Sequence, residues 1–199
     1  MKLIDEKIYE SFKNFVHSLD RGFCVVYKHF SELGVEVFDE ELSIVEPMSH
    51  FRRVEFVAGR NALRSMFKHF DVAPTSILRG ASGAPIMPKL LVGSLSHKNG
   101  YILAVLGNMR YLGYVGCDLE TNSGKDYLLF SEFFCEEELR FIIKLNINAD
   151  VLFSAKEAIY KLITALGGGV KAKFLGCEVK GKECKFSYIC NGLKVECRS

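Results

Sequence analysis

The sequence carries almost no net charge. Over 199 residues, 26 Lys and Arg stand against 24 Asp and Glu, a formal charge of +2. That argues against a general nucleic-acid binder, which shows a basic excess, so any basic site must be a local patch. No apolar run approaches the ~18 residues of a membrane span. The opening stretch MKLIDEKIYESF mixes acids into its apolar positions. It lacks the basic start and apolar core of a secretory signal, and the expected location is cytoplasmic. There is no Cys-x-x-Cys pair, and the seven cysteines are an odd number. They read as reduced, small apolar fillers rather than a disulfide framework, and no zinc-ligand spacing is present. Low-complexity tracts, sequence repeats and a flexible linker are also missing, so any two lobes must pack closely.

What remains is an ordinary globular composition, 49% hydrophobic and 25% charged, long enough for a sizeable core. A helix-like start over 6–19 precedes strand-like pieces at FCVVY (23–27) and GVEVF (34–38). From about 52 to 70 the pattern is that of an amphipathic helix. Leu63, Met66, Phe67 and Phe70 share one face, and Arg60, Arg64 and Lys68 form a neighbouring basic stripe. Pro85 and Pro88 hold a Gly- and Pro-rich loop, RGASGAPIMP. The run YILAVL (101–106), the turn Gly107-Asn108 and the run YLGYVGCDLE predict a hairpin at the midpoint. Helical patterns follow over 128–145 and 150–166, with Gly167-Gly168-Gly169 as a stop. The tail reads as a meander with a two-residue turn at Asn191-Gly192.

Three stretches carry chemistry. In VGCDLE, Asp118 and Glu120 are two residues apart, and on an extended chain they project to the same side. They either face solvent beyond the end of a strand or hold a hard divalent cation such as Mg²⁺. In FSAKEAIYK, Ser154 has the chemistry of an N-cap with Glu157 at capping-box spacing, and Glu157–Lys161 has i, i+4 ion-pair spacing. Glu157 also borders the apolar face of Ala158, Ile159, Leu162 and Ile163, where a carboxylate is well placed as a metal ligand. In GSLSH, Ser96 and His97 can donate to an anion or serve structure alone. A Ser–His nucleophile is the weaker reading, because no G-x-S-x-G turn is present.

Taken in order, FVAGRNALR, GAPIMP, GSLSH, VGCDLE and FSAKEAIYK resemble the motifs of the 4′-phosphopantetheinyl transferases of the surfactin/enterobactin-synthase type. The resemblance covers roughly residues 50 to 165. It implies an α+β fold of two pseudo-twofold-related lobes, each a small antiparallel sheet packed on helices, with a coenzyme A cleft between them. The lobes would be residues 1–107 and 108–199. It implies an enzyme that moves the phosphopantetheine arm of coenzyme A onto a serine of an apo acyl, peptidyl or aryl carrier protein. Adenosine 3′,5′-bisphosphate would be released and Mg²⁺ required. Siderophore, nonribosomal peptide or polyketide synthesis would be served, by a chain expected to act as a monomer. By the same resemblance, Asp118, Glu120 and Glu157 are metal ligands. Arg52, Arg60, Arg79, Ser96, His97, Lys156 and Lys161 bind the phosphates of coenzyme A, with Arg64 a further candidate. Glu157 is the first choice of base and Glu138 the second, and Lys161 stabilises the departing bisphosphate. Ala84 and Met87 stand where several relatives carry a lysine and an aromatic. Two other readings remain: a different Mg²⁺-dependent phosphate-cleaving enzyme, or a non-catalytic coenzyme A-binding module.

Overall fold

A computed structural model describes residues 22–121, 132–165, 172–180, 183–190 and 193–198. The expectations placed on 6–19, on 128–131, on Gly167-Gly168-Gly169 and on the Asn191-Gly192 turn lie outside these residues. The described elements are β1 (Phe23–His29), α1 (Asp39–Val45), α2 (His50–Ser65), β2 (Leu91–Lys98), β3 (Tyr101–Asn108), α3 (Met109–Leu112), α4 (Glu136–Leu145), α5 (Ala149–Ala165), β4 (Ala172–Lys180), β5 (Glu183–Cys190) and β6 (Leu193–Arg198). They form an α+β fold with two antiparallel three-stranded sheets, ordered β1-β3-β2 and β4-β5-β6.

In the first sheet, β3 is central and buried from Ile102 to Leu106. Its two faces serve different neighbours. Ile102, Ala104 and Leu106 pack on Ala58, Ala62 and Leu63 of α2. Leu103 and Val105 pack on Val115, Cys117 and Leu119 of the chain that follows α3. A strand covered on both faces reads as a continuous apolar run rather than an alternating one, which is why YILAVL stands out in the sequence. In the second sheet, among the described residues, one face is packed on a helix. Cys184, Phe186, Tyr188 and Cys190 alternate inward against Leu152, Ala155, Ile159 and Ile163 of α5.

Three expectations need correction. The midpoint hairpin does not form: β3 pairs with β2 and β1, while the chain after Asn108 makes one helical turn and then runs extended through 114–120 outside either sheet. The hairpin is instead β2–β3, turned by Asn99-Gly100 with φ of 50° and 85°. An Asn-Gly pair with both residues at positive φ gives the backbone twist that two antiparallel strands need. Residues 34–38 form no strand but lead into α1, which the sequence reading missed. The long helix starts at His50, capped by Ser49, and stops at Ser65. A 3₁₀ turn covers Phe67–Phe70. All seven cysteines are free thiols.

Candidate active site

The segment 114–120 keeps the alternation of a strand without its ladder. Val115, Cys117 and Leu119 pack on the apolar part of one face of the first sheet, and Gly116, Asp118 and Glu120 fall on the alternate side of the segment. Side chains on one face of β2 hold the segment at a two-residue spacing. Cys117 N–H donates to Ser94 Oγ at 3.0 Å, Ser96 Oγ donates to Asp118 Oδ1 at 2.8 Å, and Lys98 Nζ lies 2.7 Å from Glu120 Oε1. On its other side the segment lies directly on α5. A Cβ on Gly116 would stand 2.0 Å from the Ala158 carbonyl oxygen, so only glycine allows this approach.

Helix α5 presents Ser154, Glu157, Ala158 and Lys161 at i, i+3, i+4 and i+7, one stripe along its surface. Ser154 Oγ donates to Asp118 Oδ2 at 3.0 Å, and Lys161 Nζ to Asp118 Oδ1 at 2.6 Å. The helix therefore begins a turn and a half before Ser154, and the N-cap reading of Ser154 and the capping-box reading of Glu157 are overturned. Asn148 Oδ1 instead accepts from the Asp150 N–H at 2.9 Å. The Asp118 side chain is covered by three donors, drawn from β2 and from two turns of α5. Glu157 lies between the two Asp118 partners on the stripe. It is half-buried, and its carboxylate has no hydrogen bond or ion pair among the described residues. Each acid of VGCDLE thus has its own cation, Lys161 for Asp118 and Lys98 for Glu120.

Lys156 points elsewhere. Its ammonium donates to the Phe133 carbonyl and, at 2.7 Å, to Glu138 Oε2. Glu138 is 1% exposed and also accepts from Cys135 N–H at 2.8 Å and Tyr188 O–H at 2.9 Å. Burial, with Glu138 beside it, pushes the Tyr188 phenol far up, so it stays a donor. This network joins the start of α4, the middle of α5 and strand β5.

On the α2 face of the first sheet lies a cavity of about 440 Å³ lined by Arg52, Glu55, Phe56, Arg60, Arg79 and His97, among others. His97 and Ser96 are neighbours on β2, so they project to opposite faces. Ser96 serves Asp118, and His97 turns to the cavity. His97 Nε2 lies 3.1 Å from Glu55 Oε2, which also accepts from Arg52 Nη1 at 2.9 Å. Burial first, then Arg52 and Lys161, lower the proton affinity of His97, while Glu55 raises it. Arg60 is buried over the Phe56 ring and donates to the Ile77 carbonyl at 2.7 Å. Burial pulls its guanidinium down to about 10, so it remains charged at neutral pH. Arg79 is exposed, and its guanidinium stands over Gly83. Arg64, by contrast, is spent inside the fold. It is buried, 2.6 Å from Glu41 Oε1, and takes no part in a basic surface stripe.

Residues 40–107 match the family model described as the 4′-phosphopantetheinyl transferase N-terminal domain, and residues 114–192 match that of the 4′-phosphopantetheinyl transferase superfamily. The chain belongs to that superfamily. Among curated relatives it is 36% identical over 87 residues to the 4′-phosphopantetheinyl transferase PptT of Mycobacterium tuberculosis, covering 44% of this chain and 38% of the relative. To Npt of Nocardia iowensis it is 30% identical over 130 residues, covering 64% and 57%. To Svp of Streptomyces mobaraensis it is 28% identical over 138 residues, covering 66% and 56%. The chain thus spans between 38% and 57% of the relatives it matches.

For a phosphopantetheinyl transferase the arrangement sorts the expected residues into three places. Asp118, Ser96 and Lys161 converge, with Glu157 on the same helix stripe. Arg52, Arg60, Arg79 and His97 share one cavity. Glu120 and Lys156 pair with Lys98 and Glu138. Among the described residues no three of His, Cys, Asp or Glu stand together as a metal-holding group. No described helix is long and apolar enough to cross a membrane. Sequence reading missed Ser94, Lys98, Glu55 and Tyr188. The alternation Ser94, Ser96, Lys98 was visible as a polar strand face once LVGSLSHK is read as a strand. Glu55 was visible as the i+3 neighbour of Arg52.

Proposed function

We propose that this chain transfers the 4′-phosphopantetheine arm of coenzyme A to a serine of an apo carrier protein and releases adenosine 3′,5′-bisphosphate. The observation that carries the reading is Lys161. Its ammonium sits 2.6 Å from Asp118, which also accepts from Ser96 of β2 at 2.8 Å, and the next residue of that strand, His97, lines the basic cavity. The carboxylate centre and the basic cavity are therefore neighbours around the edge strand β2. Such a pairing suits a substrate with a phosphate monoester at one end and a diphosphate further along. Arginine forks bind phosphate bidentately, and Arg52, Arg60 and Arg79 with His97 would take the nucleotide end. Lys161 would then stabilise charge on the leaving bisphosphate, a preorganised electrostatic role.

We assign the magnesium role to the carboxylates, which among the described residues do not stand together as a metal-holding group. Asp118 already holds a cationic group at 2.6 Å, and Glu157 has no competing partner among the described residues. Asp118, Glu120 and Glu157 would hold Mg²⁺, which when bound supplies Lewis acidity toward phosphate oxygens. The carrier serine must lose a proton as its oxygen attacks phosphorus and the phosphoanhydride P–O bond breaks. Glu157 is the acceptor, directly or through one water. Glu138 is too deeply buried, under three donors. The catalytic cleft lies between lobes 1–107 and 108–199, and the setting is siderophore, nonribosomal peptide or polyketide assembly in the cytoplasm by a monomer.

The test is incubation with coenzyme A, Mg²⁺ and a panel of apo carriers, read by mass spectrometry. A gain of one phosphopantetheine arm on a carrier is expected. Cleavage of coenzyme A with no gain on any carrier would indicate a phosphohydrolase. Binding without turnover would indicate a non-catalytic module.

A further inference from the structure

Among the described residues lining the 440 Å³ cavity, Glu55 is the sole carboxylate amid Arg52, Arg60, Arg79 and His97. An acid in a cavity meant for phosphate is, by charge count alone, a mistake: it repels the ligand. Its placement says otherwise. Glu55 is 8% exposed, and one of its oxygens, Oε2, receives both the Arg52 guanidinium at 2.9 Å and the His97 ring at 3.1 Å. Arg52 also approaches His97 Nε2 at 3.4 Å. A guanidinium can only donate, so it and a protonated Nε2 cannot both be satisfied by that contact. The shorter contacts to Glu55 decide, and Nε2–H donates to the carboxylate. Nδ1 has no hydrogen bond among the described residues and is left for a ligand.

We infer that Glu55 is a positioning residue of the phosphate cavity: it fixes the His97 ring through Nε2–H and holds the otherwise mobile Arg52 arm beside it, so that the empty cavity keeps its donors arranged. Arg52 has a side chain 67% exposed, and an unheld arginine at that exposure gives up rotamer freedom on each binding event. Helix α2 places Glu55 one turn from Arg52, and β2 delivers His97 from the facing sheet. The charged groups around His97 are Glu55 and Arg52 of α2, both in contact with the ring, Arg60 and Arg79 lining the same cavity, and Lys161 of α5 acting through its charge. Glu55 is the one among them that favours the protonated ring. A ligand phosphate then meets a ring able to carry a proton at Nδ1 while Nε2–H stays on the carboxylate.

This inference rests on the coenzyme A reading for its ligand, and its test separates the two. Coenzyme A and adenosine 3′,5′-bisphosphate are titrated calorimetrically into the full chain and into Glu55→Gln. In parallel, the His97 ring is titrated by NMR in both. Charge count predicts tighter binding by Glu55→Gln. Positioning predicts binding weaker by about tenfold, the loss expected when a charge-assisted contact worth roughly 1.4 kcal/mol goes. It also predicts a His97 that takes up its proton at lower pH than in the parent. Glu55→Asp keeps the charge but shortens the reach, and is expected to show the same loss of affinity to a smaller degree. It provides the binding readout should Glu55→Gln fail to fold. Equal or tighter binding by Glu55→Gln, or an unmoved His97 titration, overturns the inference. If the parent chain binds neither ligand, the coenzyme A reading fails, and the His97 titration alone still decides whether Glu55 governs the ring.

Discussion

The two halves of the molecule pass through a similar order of described elements, an extended segment, a short helix, a long helix and then antiparallel strands, two in the first half and three in the second, but they anchor the extended segment differently. In the N-terminal half it is β1, bonded to β3 along its whole length from Phe23 to His29. In the C-terminal half it is 114–120, which joins neither sheet. Side chains and one bare glycine hold it: Ser94, Ser96, Lys98, Ser154, Lys161 and the contact of Gly116 with α5. A ladder of backbone bonds tolerates side-chain change, because each bond is independent of residue type. A segment hung on side chains does not. The half that holds Asp118 and Glu120 is therefore the half where single substitutions should cost most.

The largest effect should come from Asp118→Ala. It removes the acceptor for Ser96, Ser154 and Lys161 together, and transfer to a carrier should fall by at least about a hundredfold, the scale of losing a preorganised charge at a reacting centre. Coenzyme A binding, measured by calorimetry, should persist, since the cavity of Arg52, Arg60, Arg79 and His97 proposed to take it lies on the other face of the first sheet. Full transfer by this variant would refute the assigned centre. Asp118→Asn, which keeps acceptors for the two hydroxyls but loses the ion pair, should fall in between.

Next comes a matched pair of glycines. Gly116→Ala drives a methyl into the Ala158 carbonyl, a backbone atom. We expect about 2 kcal/mol of destabilisation, as for forced overpacking, together with lost transfer as Asp118 shifts. Gly59, on α2 in the other half, also faces a close neighbour, but that neighbour is the end of the Leu95 side chain at 3.3 Å. There the helix preference for Ala, about 1 kcal/mol, offsets a small repacking, and Gly59→Ala should melt within ~3 °C of the parent. Equal losses at the two sites would erase the proposed contrast between the halves.

The contrast also explains what could be read from the sequence. The helices α2 and α5 and the central strand β3 were legible, because each rests on periodicity, whereas Arg52, Arg60, Arg79 and His97, which share one cavity, were grouped only by the family resemblance. The side on which Asp118 and Glu120 project was legible too, since alternation survives without a ladder. The partners of those acids were not. Ser94, Ser96 and Lys98 do not stand out as a strand face because small and polar residues dominate LVGSLSHK, and only the pairing of β2 with β3 shows them to be one. Ser154 imitates an N-cap because Ser and a following Glu satisfy that pattern locally. Tertiary contact with Asp118 and an earlier cap at Asn148 override it. Arg64 looked like a surface cation because its partner, Glu41, is 23 residues away.

A smaller effect should follow in the C-terminal core. Tyr188→Phe keeps the packing of β5 on α5 but withdraws one of the three donors to the buried Glu138. Loss of a buried hydrogen bond to a charged acceptor costs roughly 1.5–3 kcal/mol, readable in urea unfolding. Lys156 and the Cys135 N–H keep Glu138 paired, so the fold should survive. Because Lys156 neighbours Glu157 on α5, we expect kcat to drop more than KM for coenzyme A. A variant as stable as the parent would show that the phenol is idle.

The smallest effect concerns His97, the cavity's own titrating group. Burial, then Arg52 and Lys161, hold its proton affinity below that of an ordinary histidine, so the unfolded chain binds this proton more readily than the folded one. Stability then rises with pH wherever the unfolded state carries more protons. The contribution of His97 is present above about pH 6.5 and is lost as pH falls below it. Between about pH 7.5 and 5.5 the melting temperature should fall, with His97 responsible for ~1–3 °C of the change. His97→Gln should flatten that part of the curve, and a fall of the same size in the variant would remove His97 as its source. Adenosine 3′,5′-bisphosphate should flatten it as well. An anion in the cavity offsets the repulsion from Arg52 and Lys161, so the folded state regains its hold on the proton and acid no longer favours unfolding through this residue.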